Sequence, residues 1–375
     1  MMLMMKKVAI VFGTRPEGIK MSPVIKELLM DPFFKVVVIN TAQHREMLDQ
    51  VMQHFGIKTD YDLNVMKPNQ SLVELSSHLI LKLNDVYQEI QPDLVLVHGD
   101  TTTTFVGAYT AFLNQIPVGH VEAGLRTYRL DSPFPEELNR QLVTRLSSIH
   151  FACTEENRAN LMQEQVPSKN IFVTGNTVID ALMTTLQIPI VLPRKLQLLE
   201  AKPWKIILVT THRRENIEEL KEVYQALHMI VQSQEQALVV FPVHKSPKVR
   251  KEVQKYLPRH KRILLVEPMD YHLFCHVMKR STIVVTDSGG IQEEAISLDV
   301  PVLVTRNTTE RPEGLQAGAI RLVGTEKQEI YQQIHLLLTN TQIYDEMKNA
   351  KNPYGDGFSA RRIRKVLKAY FHDGK

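Results

Sequence analysis

Short apolar runs that alternate with stretches of helical periodicity constrain the fold of this chain more than any other feature. The run Val8–Phe12 is continuously apolar, and Ile19, Ile25 and Leu28 then recur at helical spacing. A strand without polar residues is typical of a parallel sheet covered by helices on both faces. Comparable runs lie at Lys35–Asn40, Asp93–Val97, Pro117–Val121, Ile149–Cys153, Lys205–Thr210, Leu238–Phe241, Ile263–Val266, Ile283–Thr286 and Val302–Val304. The alternation predicts a doubly wound α/β fold, in which ligands bind at the carboxyl ends of the strands.

The spacing of these runs indicates two domains. The alternation pauses near Thr174–Thr177 and resumes at Lys205, after a segment that carries Pro189 and Pro193. A chain of 375 residues, 43% of them apolar, is long enough for two hydrophobic cores. We therefore expect one Rossmann-like domain over residues 1–172 and a second over 173–355. The final helix, within residues 356–375, is expected to pack back on the first domain.

Charge and cysteine content exclude several other classes of protein. Lys and Arg number 45 against 41 Asp and Glu, so the net charge of +4 predicts neither a nucleic-acid partner nor an acidic membrane surface. Cys153 and Cys275 stand alone in the sequence, which favours reduced thiols over a disulfide framework or a zinc site. The apolar run after Lys6 and Lys7 is too short for a signal peptide or a membrane-spanning helix. We therefore expect a cytoplasmic protein.

The stretch Thr286–Glu294 reads as the end of a strand, a tight turn and the start of a helix. Asp287 or Ser288 is placed to cap the helix, and Gly289 and Gly290 allow close approach of the backbone to a ligand. Exposed N–H groups and the helix dipole favour an anion such as a phosphate. The carboxylate of Glu294 lies near enough to accept hydrogen bonds from vicinal ribose hydroxyls. The alternative is an ordinary glycine-containing turn with solvated carboxylates.

Three carboxylates follow three consecutive strands of the first domain. Asp100, Glu122 and Glu136 are expected to converge at the strand ends, where their mutual repulsion would raise at least one pKa toward the range of a general acid or base. The alternative is that each one caps a helix separately. Arg15 and Lys20 add positive charge at the first strand end, which either offsets the charge of a diphosphate or pairs with these acids.

Other polar groups end strands of the second domain. His212 and the guanidinium groups of Arg213 and Arg214 follow Lys205–Thr210, where a cluster at a cleft suits acid, base or phosphate-donor roles and a surface cluster is the alternative. Arg311 is a candidate phosphate clamp or part of a salt-bridged loop. His98, His120 and His244 also end strands, but their spacing predicts no metal site. Because there is no Walker A sequence and no supported dinucleotide fingerprint, no cofactor is expected.

Seven motifs, taken in order along the chain, resemble those of the bacterial non-hydrolysing UDP-N-acetylglucosamine 2-epimerases. They are Gly13-Thr14-Arg15-Pro16-Glu17, His98-Gly99-Asp100-Thr101, Glu122-Ala123-Gly124-Leu125-Arg126, Pro135-Glu136-Glu137-Leu138-Asn139-Arg140, Thr211-His212-Arg213-Arg214-Glu215-Asn216, Asp287-Ser288-Gly289-Gly290 and Glu310-Arg311-Pro312-Glu313. The resemblance covers nearly the whole chain. It implies the GT-B arrangement, two Rossmann-like domains that face a central cleft, and a homodimer.

The resemblance also implies roles for particular residues. The candidate catalytic residues are Asp100, Glu122, Glu136 and His212. The candidate substrate-binding residues are Ser288, Gly289 and Gly290 for the UDP phosphates, Glu294 for the ribose, Met269 to Phe274 for the uracil, and Arg15, Lys20 and Arg311 for further polar groups. Gln43, Arg213 and His244 match a second, allosteric nucleotide-sugar site of such proteins, and Glu46 stands where a Gln is often found.

The reaction implied by the resemblance is inversion at carbon 2, which converts UDP-N-acetylglucosamine into UDP-N-acetylmannosamine, a precursor for cell-surface polysaccharide. UDP is eliminated to give a 2-acetamidoglucal and adds back after reprotonation on the other face, without a redox cofactor. Two faces require two proton-handling groups, and the sequence does not assign them. The alternatives are a hydrolysing 2-epimerase that releases UDP and N-acetylmannosamine, a GT-B glycosyltransferase, and a non-catalytic nucleotide-sugar sensor.

Overall fold

The fold comes from a computed structural model that describes residues 5–67, 70–211, 220–309 and 311–372. The chain divides into two compact units. One comprises residues 1–183 and 354–375 and is called the N-terminal unit; the other comprises residues 184–353 and is called the C-terminal unit. The sequence predicts that the first domain ends at residue 172, and the compact unit extends to residue 183. In the described part of the chain, no helix combines the length and the apolar character needed to cross a membrane.

The described residues of the N-terminal unit contain a seven-stranded parallel sheet in the order β3-β2-β1-β4-β5-β6-β7. Its strands are β1 (Lys6–Phe12), β2 (Phe34–Asn40), β3 (Tyr61–Asp62), β4 (Leu94–His98), β5 (Val118–Ala123), β6 (Ile149–Ala152) and β7 (Ile171–Val173). The helices between them are α1 (Arg15–Leu29), α2 (Glu46–Phe55), α3 (Leu72–Ile90), α4 (Thr102–Leu113), α5 (Glu136–Leu146) and α6 (Glu155–Gln163), and α7 (Thr177–Leu186) follows β7. The strand order reverses between β1 and β4, so ligands are expected where these two strands end.

The described residues of the C-terminal unit repeat this topology with six parallel strands, in the order β10-β9-β8-β11-β12-β13. They are β8 (Lys205–Thr210), β9 (Ala237–Pro242), β10 (Ile263–Val266), β11 (Ile283–Thr286), β12 (Val302–Val304) and β13 (Ile320–Leu322). The helices are α8 (Leu198–Ala201), α9 (Leu220–Ser233), α10 (Pro247–Tyr256), α11 (Tyr271–Lys279), α12 (Gly289–Ile296), α13 (Pro312–Gln316), α14 (Lys327–Thr339) and α15 (Thr341–Lys348). Here the order reverses between β8 and β11. The doubly wound α/β fold predicted from the sequence is confirmed in both units.

Apolar burial in the two sheets explains why polar residues gather at the strand ends. Residues 8–12 of β1 and 207–209 of β8 are fully buried, and helices pack on both faces of each sheet. A strand that is buried on both faces disfavours charged side chains along its length. The polar residues of these βα units therefore cluster where the strands end.

The last helix, α16 (Ser359–His372), packs on α1 within the N-terminal unit. Arg364 pairs with Glu27 and Asp31 at 3.0 Å, and Lys368 pairs with Asp31 at 3.1 Å. These charges lie on the face of α16 that also buries Ile363 and Leu367, so apolar and ionic contacts hold the helix on the same side. The end of the chain thereby returns to the domain that contains its beginning.

Candidate functional site

The turn between β1 and α1 brings backbone close to two neighbouring segments. A Cβ atom on Gly13 would lie 1.9 Å from Thr41 Oγ1 and 2.7 Å from Thr103 Oγ1, so only glycine fits here. Thr103 donates a hydrogen bond of 3.0 Å to Gln43 Oε1. The ends of β1, β2 and β4 therefore meet around a position that has no room for a side chain.

Glu17 ties the starts of α1 and α4 together. Its Oε2 accepts the backbone N–H groups of Gly13 and Thr14 at 3.0 and 2.8 Å, and its Oε1 accepts the hydroxyls of Thr101 and Thr104 at 2.7 and 3.0 Å. Burial raises the pKa of this carboxyl, and these hydrogen bonds oppose the shift. Glu17 thus fixes the two helix starts at the point where the strand order reverses.

Glu122 ends β5 with a left-handed backbone, φ 63°, next to a register irregularity of the sheet. A non-glycine residue pays a conformational cost in this region, and such outliers concentrate at functional sites. The carboxylate pairs with Lys20 of α1 and accepts a 2.9 Å hydrogen bond from Asn176 Nδ2, and His98 Nε2 lies 3.7 Å away. Polar groups from three separate segments thus surround the carboxylate.

Asp100 is paired with a buried guanidinium. Arg140 donates to Asp100 Oδ2 from Nε at 3.0 Å and from Nη2 at 2.6 Å, and its Nη1 donates to Glu137 Oε2 at 3.0 Å. Burial raises the pKa of Glu137, but hydrogen bonds from Gln141, the Thr127 backbone and Arg140 outweigh it and leave the pKa lowered. One arginine therefore links the end of β4 to the first turn of α5.

Two of the three acids that are expected to repel one another have cationic partners in the structure. Asp100 and Glu122 each have a cationic partner, which α5 and α1 respectively provide. Glu136 begins α5, is half-buried, and has no hydrogen-bond or ion-pair partner among the described residues. Each of these two carboxylates is therefore in direct contact with a cation from a neighbouring helix.

Two histidines near the ends of β4 and β5 are buried and neutral. Burial lowers the pKa of His98 to about 4, with Glu122 opposing the shift, and lowers that of His120 to about 3. His120 Nε2 lies 2.8 Å from the carbonyl oxygen of Gly99 and donates to it. In the described part of the chain, neither ring nitrogen of His98 has a hydrogen-bond partner. His98 therefore adds a polar group without charge beside Glu122.

In the C-terminal unit, β11 ends at a turn that leads directly into α12. The hydroxyls of Thr210 and Thr286 lie 2.6 Å apart, and the Asp287 and Ser288 N–H groups donate to Thr210 O and Thr286 Oγ1 at 3.3 and 3.0 Å. Ser288 occupies the capping position of α12, as predicted, although its hydroxyl accepts no capping hydrogen bond from the described residues. No described atom beyond the chain neighbours and its own helix lies within 4 Å of a Cβ built on Gly290.

Arg311 lies directly against this turn. A Cβ on Gly289 would come within 2.9 Å of Cζ and Nη1 of Arg311, and Arg311 Nε donates to Glu293 Oε1 at 2.9 Å. The predicted proximity of Arg311 to the Ser288–Gly290 turn is therefore confirmed. The guanidinium is buried and fixed by an ion pair from α12 itself, so both alternatives raised by the sequence, a clamp and a salt-bridged loop, fit the same geometry.

The other predicted substrate-binding residues of this unit lie on α12 and in or just before α11. Glu294 is buried on α12 and accepts a 2.8 Å hydrogen bond from the Tyr271 hydroxyl. Met269 is half-buried in the loop before α11, and Phe274 is half-buried in the first turns of that helix. Tyr271 lies between them, and its hydrogen bond links the segment predicted to contact the uracil to Glu294, the residue predicted to bind the ribose.

The remaining predicted residues are distributed as follows. Arg15 is half-exposed at the first position of α1, and Glu46 is exposed at the start of α2. His244 is exposed in the loop after β9, where its Nδ1 accepts the Ser246 N–H at 3.1 Å. His212 and Arg213 lie outside the described residues. In the described ranges, no group of three or more His, Cys, Asp and Glu residues is arranged to hold a metal ion.

Several residues around the site escaped prediction from the sequence. Glu17 follows Thr14 at the spacing of a capping box, and Arg140 follows Glu136 by one helical turn, so local signals for both exist. Asn176 and Tyr271 carry no such signal, because their partners lie 54 and 23 residues away. The strand β7 before Asn176 is only three residues long and is not among the strands that the sequence predicts.

Two doubly wound parallel sheets, each with polar groups and helix starts where the strand order reverses, define an α/β protein of the GT-B class. Residues 26–368 match the family model for UDP-N-acetylglucosamine 2-epimerase. The chain belongs to this family, which confirms the resemblance carried by the seven motifs. A curated relative, the UDP-N-acetylglucosamine 2-epimerase of Neisseria meningitidis serogroup A, is 50% identical over 96% of this chain and 99% of its own length.

Solved structures give the same result. The S. aureus MnaA–UDP co-structure is 47% identical to this chain, with a TM-score of 0.91 over 98% of this chain and 97% of the other. The UDP-GlcNAc 2-epimerase from Neisseria meningitidis bound to UDP-GlcNAc is 49% identical, with a TM-score of 0.89 over 97% of this chain and all of the other.

Proposed function

We propose that this protein interconverts UDP-N-acetylglucosamine and UDP-N-acetylmannosamine without hydrolysis, by eliminating UDP and adding it back. The observation that carries the proposal is the geometry of Glu122. Its carboxylate is held by Lys20 on a left-handed backbone, at the end of a strand beside the switch point. A base fixed in one orientation suits removal of a weakly acidic proton from carbon 2 of the sugar.

The N-terminal unit supplies the groups that handle protons. Glu122 and Asp100 end neighbouring strands, β5 and β4, and Glu136 begins the helix that also carries Arg140. Inversion at carbon 2 needs proton removal on one face and proton delivery on the other, so two separately held groups are required. Lys20 holds the Glu122 carboxylate and Arg140 holds that of Asp100, so the two groups are positioned independently of each other. We propose that His212 also belongs to this set.

The C-terminal unit supplies the groups that hold UDP as it leaves and returns. The start of α12 offers N–H groups and a helix dipole to the diphosphate, and Arg311 lies against the same turn. Stabilising the developing charge on the leaving diphosphate lowers the barrier for elimination. Glu294 would accept hydrogen bonds from the ribose, and Met269 to Phe274 would contact the uracil. Arg15 and Lys20, which the family resemblance also assigns to substrate binding, would add positive charge.

One experiment separates this function from its alternatives. The protein is incubated with UDP-N-acetylglucosamine in deuterated water and followed by NMR. Deuterium at carbon 2 in a mixture of two intact UDP-sugars is the expected result. Stoichiometric free UDP and free sugar would replace the proposal with hydrolysis, turnover only with an added acceptor would indicate a transferase, and no turnover would indicate a sensor.

Substitutions test the assignment of chemistry. Asp100→Asn, Glu122→Gln, Glu136→Gln and His212→Asn should each lower kcat by about 10²-fold or more while changing the affinity for UDP far less, since they remove proton-handling groups. The control is Glu89→Gln, which alters an exposed carboxylate at the end of α3 that accepts the Tyr61 hydroxyl. Near-normal kcat in all four site variants would mean that these residues do not carry the chemistry.

The family resemblance supports further proposals about regulation and assembly. We propose a second, allosteric nucleotide-sugar site that includes Gln43, Glu46, Arg213 and His244, a homodimer, and a cytoplasmic role in supplying precursor for cell-surface polysaccharide. Sigmoidal dependence of the rate on UDP-N-acetylglucosamine, lost in Gln43→Ala, would support the second site. Analytical ultracentrifugation tests the dimer, and a monomer at assay concentration would contradict it.

A further inference from the structure

Asn176 lies in the turn between β7 and α7 and is almost completely buried. Its Oδ1 accepts the Val178 N–H at 3.0 Å, and its Nδ2 donates to Glu122 Oε2 at 2.9 Å. Because the oxygen end of the amide is taken by a backbone donor, the nitrogen end must face Glu122. The orientation of the amide is thus fixed by its own turn.

Asn176 differs in kind from the other groups around the Glu122 carboxylate. Lys20, from α1, and His98, from β4, approach the same oxygen, Oε2, with His98 Nε2 3.7 Å away. Lys20 is a charge on a long, flexible stem, whereas Asn176 is a short, neutral donor anchored to the backbone. Asn176 therefore defines the direction of the carboxylate, while Lys20 contributes mainly charge.

The returning end of the chain holds Asn176 in place. The Asn176 N–H donates to Tyr354 O at 2.7 Å. Gly175 has φ 86°, and a Cβ there would lie 2.7 Å from Ser359 Oγ and 3.3 Å from Gly355 Cα. The turn before α7 and the segment before α16 therefore pack backbone to backbone.

Asp180, one turn further along α7, completes this contact. Its carboxylate accepts the N–H groups of Ser359 and Ala360 at 3.2 and 2.9 Å, so it caps the first turn of α16. The start of α7 thus directs Asn176 toward Glu122 and also binds the first turn of α16. Both contacts lie inside the N-terminal unit.

We propose that Asn176 is a positioning residue for Glu122 and that the returning C-terminal segment keeps it in register. The inference rests on the proposed epimerase function, in which Glu122 handles the carbon 2 proton. A neutral donor stabilises the ionised carboxylate and directs it without adding a second positive charge beside Lys20. Among the described residues, His98 is a further titratable group beside this carboxylate, and Asp100 in turn interacts electrostatically with His98.

The test is the pH dependence of turnover in Asn176→Ala and Asn176→Asp. Loss of a hydrogen bond to a charged group should lower kcat about 10- to 100-fold, with a much smaller change in KM. Removal of a donor from the ionised carboxylate should also move the acid limb of the kcat profile to higher pH by about one unit. Asn176→Asp should move it further, because it places a second negative charge against Glu122.

The control is Asn114→Ala, at the end of α4. Asn114 donates to Asn84 Oδ1 at 3.1 Å and to Thr110 O at 2.9 Å, so its loss also removes two side-chain hydrogen bonds, neither of which involves Glu122. Its acid limb should stay where it is in the unaltered protein. If the role of Asn176 were merely structural, Asn176→Ala and Asn114→Ala would both lower the stability of the protein. Neither would then move the acid limb of the kcat profile.

A distal variant keeps the inference testable if Asn176→Ala fails to fold. Asp180→Asn retains Asn176 and weakens the cap of α16, and it should shift the acid limb in the same direction by a smaller amount. If the unaltered protein epimerises and Glu122→Gln is impaired, but the Asn176 and Asp180 variants keep the normal limb and kcat, the inference is overturned and the proposed function stands. If the unaltered protein showed no turnover, both the proposed function and the inference about Asn176 would be wrong.

Discussion

Mild acid should destabilise the N-terminal unit because three histidines in its central strands are buried without charge. His98, His120 and His150 lie on β4, β5 and β6 and are at most 3% exposed. Burial lowers their pKa values to about 4, 3 and 4, and His120 and His150 face each other across the strand pair. In the unfolded chain each would titrate near 6.5.

The sign of the effect follows from proton uptake. Between pH 6.5 and the pKa values of these histidines in the folded protein, the unfolded chain binds protons that the native state does not bind. The free energy of unfolding therefore falls as the pH falls. Each histidine contributes about 1.4 kcal/mol per pH unit in this window, or about 2 kcal/mol between pH 7 and pH 5. All three together give a limiting slope of about 4 kcal/mol per pH unit near pH 5.

Carboxyl groups modify this slope in known directions. Burial raises the pKa values of Glu17 and Asp180. Protonation of these two carboxyl groups therefore raises the free energy of unfolding as the pH falls, which opposes the effect of the histidines. The pKa of Glu137 is lowered, because hydrogen bonds outweigh burial, so its contribution is lost only below about pH 4.5. Between pH 5 and 6 the histidines dominate.

The assay is native-state hydrogen exchange of the β4 to β6 amides at several pH values, corrected for intrinsic exchange. His120→Gln removes one titrating group, so it should reduce the slope between pH 5 and 6 by about 1.4 kcal/mol per pH unit. The lost packing and the lost hydrogen bond to Gly99 lower stability equally at every pH, so the slope isolates the proton. A variant with the same slope as the unaltered protein would refute the reasoning.

Two further predictions concern the ion pairs and the turn of the C-terminal unit. Arg140→Met leaves two carboxylates without their guanidinium and should lower the free energy of unfolding by about 3–5 kcal/mol in urea denaturation. Arg145→Met, at an exposed site on the same helix, should cost less than about 1 kcal/mol, and equal losses would contradict the assignment. Gly289→Ala should destabilise the ligand-free unit by about 1–3 kcal/mol through its clash with Arg311, whereas Gly290→Ala has open space and should be neutral or stabilising. Fluorescence of the single tryptophan, which lies in that unit, measures both, and equal effects would show that the clash is absent.

Local patterns were sufficient for most of the described strands and for the positions of most candidate residues, but they missed β3, β7 and β13. β8, β10, β11 and β12 follow the apolar runs of the sequence residue for residue, and the last helix spans Ser359–His372. The short strand β7 escaped prediction because three residues are too few to set a period, and its identity depends on pairing with β6. Asn176, which follows it, was missed for the same reason.

The sequence by itself determined the doubly wound fold and which residues lie at strand ends, because continuous apolar runs fix where polar groups are tolerated. It also carried the family, since seven motifs stand in order along the chain. Only the tertiary structure decided which charges pair. Lys20 meets Glu122 across 102 residues, and Arg140 meets Asp100 across 40. Such pairings depend on long-range packing, which placed two of the three expected acids in separate ion pairs.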